Sequence, residues 1–186
     1  QPLLDLMQKY LNAGMNQYPP MTGVAYLRQQ IAAKVDKLYS CTVDSETEIT
    51  VTSGASEALF VAIQATIEAD DEVIVFDPVY DSYEPAIQLA GGRTIHIPLD
   101  DKFNINWNLV RAAVTSRTRM IIVNSPHNPS GSTLKAEDLD QLEALTEDSG
   151  ILVLSDEVYE HMVFNSLAHE SILGRPKLRE RAFVVS

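Results

Sequence analysis

The chain has 186 residues, 45% of them hydrophobic, which is one domain's length and enough apolar material for a buried core. Its formal net charge of −12 argues against a nucleic-acid backbone or an anionic membrane surface as partner. Apolar runs such as VIVF and MIIV are far too short to span a bilayer. No signal peptide is evident, and Gln1 is not a natural start, so a missing natural N-terminus is the expectation. A single cysteine, Cys41, has no internal disulfide partner, and a reduced, cytoplasmic setting is the default.

Val24 to Tyr39 has helical periodicity, with Leu27, Ile31, Val35 and Leu38 on one face. Glu48 to Thr52 (EITVT) reads as a strand stopped by Ser53-Gly54, and Ala55 to Glu68 as a helix. Glu72 to Phe76 is a strand closed by Asp77-Pro78. A helix over Tyr83 to Leu89 follows, then Gly91-Gly92 and a strand over Arg93 to Ile97. Trp107 to Val114 is helical, Arg119 to Asn124 a buried strand, Lys135 to Leu145 a helix. Ile151 to Leu154 and Ala182 to Val185 are two more strands. Strands alternating with helices predict an α/β fold, a mostly parallel sheet with helices on both faces. Ligands of such sheets sit beyond the carboxyl ends of the strands.

The residues after four of these strands therefore carry the functional reading. Ser53 to Ser56 puts small residues where a helix begins, and free N–H groups there can bind a phosphate or simply cap an ordinary turn. Tyr80 follows a proline turn and can stack on a flat ligand or pack as a plain aromatic. Asn128 lies in a loop fixed by two prolines, where its amide can donate to a ligand oxygen or serve the turn; its neighbour His127 reads as scaffold.

Asp156, at the tip of ILVLSD with Tyr159 three residues on, is the most informative position, because a buried carboxylate is costly without a cation or metal. The magnesium-binding acid of a P-loop nucleotidase is excluded, since no Gly-Lys dipeptide occurs. A dinucleotide fingerprint is also missing, and Glu157, His161 and His169 lack a recognised zinc spacing. Two readings stay open for Asp156, an acid paired with a protonated pyridine nitrogen and a plain capping acid; the four strand ends together could surround a planar, anionic, nitrogen-containing ring.

The stretches NQYPPMTGVAYLRQQIA, TSGASEAL, FDPVYDSYEPA, NSPHNPSG and SDEVYEH, in this order and spacing, resemble the class I/II aminotransferases, pyridoxal 5'-phosphate enzymes of fold type I. The resemblance spans essentially the whole chain. Within the family, DPVYDSY and LSDEVYEH are most similar to the methionine aminotransferase branch, which also resembles kynurenine aminotransferases.

The resemblance implies roles residue by residue. Gly54, Ala55 and Ser56 match the turn that holds the phosphate, and Tyr80 the aromatic on the pyridine ring. Asn128 and Tyr159 match the pair that bonds the phenolic oxygen, and Asp156 the acid facing the pyridinium nitrogen. Tyr18 matches a tyrosine that crosses a homodimer interface to the partner's phosphate.

The family's Schiff-base lysine follows a Ser-rich turn after the strand in AFVVS and is expected beyond Ser186. Residues 1–186 are thus expected to be a partial cofactor-binding large domain, without the N-terminal arm or the small C-terminal domain. Alone it is expected to be inactive, and to fold incompletely or within an oligomer. Three activities of the parent protein stay open: transfer of an amine from an amino acid to a 2-oxo acid, β-elimination at a carbon–sulfur bond, and a non-catalytic regulatory role. The resemblance also implies cis bonds at Asp77–Pro78 and Asn128–Pro129.

Overall fold

The computed structural model describes residues 1–164 and 168–186. In chain order it contains helices α1 (Pro2–Asn12), α2 (Ala25–Tyr39) and α3 (Ala55–Thr66), strand β1 (Glu72–Asp77), helix α4 (Tyr83–Leu89) and strand β2 (Arg93–Pro98). Helix α5 (Trp107–Ala113), strand β3 (Thr118–Asn124), helix α6 (Ala136–Thr146) and strand β4 (Leu152–Asp156) follow. A short 3₁₀ turn (Ile172–Gly174), helix α7 (Pro176–Arg179) and strand β5 (Ala182–Val185) complete it.

The strands form one sheet in the order β2-β1-β3-β4-β5, and every pairing is parallel. Such a sheet is covered on both faces, so its strands are apolar at nearly every position rather than alternating with polar residues. The side chains divide by parity. Val73, Val75, Met120, Ile122, Leu154 and Val185 face α3 and α4. Ile74, Phe76, Ile121, Val123 and Val153 face α5, α6, the 3₁₀ turn and α7. The carboxyl ends of all five strands therefore lie along one edge. The register sets Asn124 of β3 beside Asp156 of β4, and Asp156 beside Val185 of β5.

Three sequence expectations need correction. EITVT is not a strand. Val51 N–H donates to Thr22 O at 3.0 Å, and that single bond ties the segment to the turn before α2 instead of to the sheet. Its β-branched residues suit an extended backbone, but no strand lies beside them. Gly23, in that turn, has φ +92° and sits so close to Val51 that a Cβ would lie 2.6 Å from Val51 Cβ. Secondly, the sequence reading assigned no element to residues 2–12, which form α1, none of whose residues is buried. Thirdly, the apolar face of α2 is buried only at Val35. Leu27 and Leu38 are exposed, and Arg28 is the other buried position, donating to Gly23 O at 3.2 Å. The remaining elements stand within a few residues of the expected boundaries.

The peptide bonds Asp77–Pro78 and Asn128–Pro129 are cis, as the resemblance implied, and Ser125–Pro126 is cis as well.

Ile121 is fully buried on the central strand. Ile121→Ala is expected to lower stability by about 2–5 kcal/mol, from lost burial and a cavity that the packed sheet cannot collapse. Urea unfolding of the protein checks it, with an unchanged slope and a lower midpoint.

Candidate functional site

Asp156 ends β4 and is 4% exposed. Its Oδ2 accepts a 2.6 Å hydrogen bond from the Tyr83 hydroxyl, and its Oδ1 a longer one, 3.3 Å, from Val158 N–H. Both donors are neutral. Among the described residues no lysine, arginine or histidine forms an ion pair with it. Burial pushes the carboxyl above its ordinary value, and the two hydrogen bonds do not reverse the shift. Tyr83 is itself buried, and burial together with the Asp156 charge raises its phenol far above the usual range.

Tyr83 also orients Tyr80. The two rings meet edge to face, with centroids 5.5 Å apart and planes at 74°. A three-residue spacing at the start of α4 places the two phenols as neighbours. The Tyr83–Asp156 bond was not anticipated from sequence, because only the tertiary fold brings the start of α4 to the tip of β4. Asn124, equally unanticipated, is a cross-brace. Its Nδ2 donates to Asp156 O at 3.0 Å, and its Oδ1 accepts from Asn128 N–H at 2.7 Å. Asp156, Asn128 and Tyr80 are thus joined through Asn124 and Tyr83. His127 is buried, its Nδ1 lies 2.8 Å from Ser130 Oγ, and burial lowers its pKa; it holds the loop, as expected of scaffold.

Gly54, Ala55 and Ser56 open α3, which packs against α4, β4 and β5. The turn is positioned by that helix packing and not by a preceding strand. Gly54 has φ +84°, no side chain caps the helix, and a Cβ at Gly54 would meet nothing within 4 Å. Backbone in that region favours glycine, and the uncapped first turn leaves N–H groups directed outwards. The Ser53 N–H is taken by the Glu57 carboxylate. Ser56 borders a shallow depression shared with Asp81 and Ser82, the residues just after Tyr80.

Tyr159 is exposed, and among the described residues no hydrogen bond engages its hydroxyl. Tyr18 is 100% exposed, and no hydrogen bond draws it to the other candidates.

Two further acids follow Asp156 closely and are also buried. Glu157, 2% exposed, lies 2.9 Å from His169 Nε2 and accepts from Ser155 Oγ at 2.9 Å and Ile172 N–H at 3.1 Å. Glu160, 7% exposed, accepts from Lys34, Tyr39 and Ser186. Burial opposes ionisation of Glu160, but these hydrogen bonds outweigh it and bring the carboxyl down to about 2. His161 is exposed and faces Glu160 at 3.9 Å, so Glu157, His161 and His169 do not converge. Among the described residues no group of three His, Cys, Asp or Glu side chains suits a metal ion. No helix among them is long and apolar enough to cross a membrane.

The chemistry of this donor set fits pyridoxal phosphate: an acid without a cation for the ring nitrogen, an oriented aromatic, a braced asparagine loop, and a helix N-terminus for phosphate.

Comparison with known proteins gives the same direction. Residues 4–186 match the family described as aminotransferase class I and II. The chain is 45% identical over 185 residues to methionine aminotransferase of Escherichia coli (strain K12), covering 99% of this chain and 48% of that protein. It is 39% identical to the probable N-succinyldiaminopimelate aminotransferase DapC of Mycobacterium tuberculosis, covering 99% of this chain and 47% of the relative. The solved structure of YbdL from Escherichia coli, for which a methionine aminotransferase function is described, superposes with a TM-score of 0.96 at 45% identity. That match covers 98% of this chain and 48% of the other. The chain spans about half the length of the curated relatives it matches.

The buried acids predict pH effects of opposite sign. Asp156, whose pKa is raised in the fold, costs stability when ionised. Asp156→Asn should therefore raise the melting temperature of the cofactor-free protein near pH 8, with the gain vanishing as the pH falls below about 4. Glu160, whose pKa is lowered from 4.5 to about 2, contributes stability above its ordinary value and loses it as the pH falls through the lowered one. Glu160→Gln should therefore lower the melting temperature at neutral pH, with the deficit closing towards about pH 2. Calorimetric melts across pH check both.

Proposed function

Because this chain belongs to the class I and II aminotransferases, we propose that the full-length protein uses pyridoxal 5'-phosphate to move the amino group of an amino acid, methionine or an aromatic one, to a 2-oxo acid. The observation that carries this reading is Asp156, a buried carboxylate at a strand tip whose bonded partners are both neutral. Methionine as donor is supported by the 45% identity to the Escherichia coli methionine aminotransferase.

When bound, the cofactor supplies an electron sink for the carbon that loses its proton. The chain's own groups then have defined tasks. Asp156 keeps the proton on the ring nitrogen, and Tyr83 holds that carboxylate in place. Tyr80, braced by Tyr83, covers the ring. Asn128 and Tyr159 donate to the phenolic oxygen. The turn of Gly54, Ala55 and Ser56 holds the phosphate: the Gly54 N–H is bonded to Thr52 O, so the first-turn N–H groups from Ala55 and Ser56 onward are the donors.

On this reading residues 1–186 are part of the cofactor-binding large domain. The chain's six lysines are Lys9, Lys34, Lys37, Lys102, Lys135 and Lys177. Lys34 bonds Glu160 and Ser186, Lys135 bonds Asn104 and Lys177 bonds Glu147. No hydrogen bond or ion pair among the described residues joins a lysine to Asp156, Asn124 or Asn128. We therefore infer that residues 1–186 alone do not transfer an amine, and that the lysine that does so lies outside them.

The reading also includes a cytoplasmic homodimer. Supporting the dimer, α1 exposes Leu3, Leu4, Met7 and Leu11 together, and the exposed Tyr18 is available to reach a second copy's phosphate.

Incubating the full-length protein with methionine and a 2-oxo acid tests this, since a new amino acid supports transamination and a released thiol supports β-elimination. Asp156→Asn should cost at least about 3 kcal/mol of transition-state stabilisation, or two orders of magnitude in single-turnover amine transfer. Tyr159→Phe should cost less, because it removes one hydrogen bond and not a charge. An Asp156→Asn variant that keeps more than about a tenth of the rate would overturn the assignment.

A further inference from the structure

Tyr159 is exposed and has no side-chain hydrogen bond of its own among the described residues, so its neighbours must fix where it points. Those neighbours are tied down on both sides. Before it, Glu157 N–H donates to Val185 O at 2.7 Å, and the Glu157 carboxylate is held by Ser155, Ile172 N–H and His169. After it, Glu160 N–H closes back on Glu157 O at 2.8 Å, while the Glu160 carboxylate is held by Lys34, Tyr39 and Ser186. Lys34 Nζ also donates to Ser186 Oγ at 3.1 Å. The two anchors touch each other, because the Tyr39 ring meets the His169 ring edge-on with centroids 6.2 Å apart.

Burying two acids within four residues is expensive, and the desolvation is offset only by this many partners. A plain reverse turn needs none of it. We propose that Glu157 and Glu160, with Lys34, Tyr39 and His169, are positioning residues that fix the turn between Asp156 and Met162 and so aim Tyr159 at the site. Among the described residues no hydrogen bond or ion pair joins these five side chains to those of Asp156, Asn128, Tyr80 or Tyr159. Lys34 and Tyr39 are the informative members, since both lie on α2, more than a hundred residues away in sequence, and their hydrogen bonds reach the turn through Glu160. This rests on the aminotransferase reading for its catalytic consequence, but not for its structural one.

The test uses the full-length protein with Lys34→Met, Lys34→Arg and Tyr39→Phe. The first readout is amide hydrogen exchange in the cofactor-free protein. In Lys34→Met, the amides of Glu157, Glu160 and Met162 should exchange at least about tenfold faster while those of β1 and β3 keep their rates. Lys34→Arg should recover most of the protection. The second readout is amine transfer, with kcat lowered about five- to tenfold and KM within about twofold, the signature of a group that acts in the transition state and not in binding. Should Lys34→Met fail to fold, Tyr39→Phe decides, because it keeps the ring against His169 and removes only the hydroxyl; about threefold faster exchange in the same turn is expected. Exchange within twofold of the parent in that turn, or faster exchange spread evenly over the sheet, would overturn the proposal. A parent protein that transfers no amine would defeat the proposed function, yet the exchange comparison would still decide the role of the anchors.

Discussion

The parallel pairing of β3 with β4 is the constraint on which the rest depends. It fixes Asn124 beside Asp156, and from that one juxtaposition the Asn124 side chain can bond the backbone of one strand tip and the loop that follows the other. A shift of register by one residue would turn Asp156 to the opposite face of the sheet and break the brace. The register is held in turn by apolar packing on both faces, with Ile121 and Val153 on one side, Ile122 and Leu154 on the other. The polar site is thus located by apolar packing that reaches it only through the Tyr83 and Tyr80 rings, which lie in and against the cluster of Ile122 and Leu154.

Three carboxylates lie buried within five residues, and their surroundings separate them by role. Glu157 has a histidine and Glu160 a lysine, and the hydrogen bonds around Glu160 lower its pKa despite burial. Asp156 has a phenol and an amide, and burial prevails. Two of the acids are internally matched. The third retains an electrostatic demand that the described residues do not meet, which is the condition expected of a group prepared for a cationic ligand.

What could be read from sequence follows the same division. Strands buried on both faces announce themselves as apolar runs, so β1, β3, β4 and β5 stood near their expected positions. EITVT carries the same composition but spends its one inter-segment backbone bond, from Val51, on Thr22, and no local pattern encodes that choice. Helix α1 went unassigned although Leu3, Met7 and Leu11 recur at helical spacing, and among the described residues none of its side chains is buried. Asp156 was legible because a charge at the end of an apolar strand is a local contradiction. Tyr83 and Asn124, which hold it, were not, since their roles depend on segments far apart in sequence meeting at one edge. Lys34 and Tyr39 are further cases: on a helix surface they look like ordinary solvent-facing residues until Glu160 arrives from the other end of the chain.

The two outer strands of the sheet differ in kind. Strand β2 bears Arg93 and His96, each engaged with an aspartate, and ends in Pro98, which has no N–H to offer. Strand β5 is Ala-Phe-Val-Val, without a charge or proline, and its Phe183 is 40% exposed. One border is closed to further pairing and the other is receptive. The sheet therefore has a direction of growth, and any additional strand would add next to β5, on the side of the anchored turn and away from the charged margin.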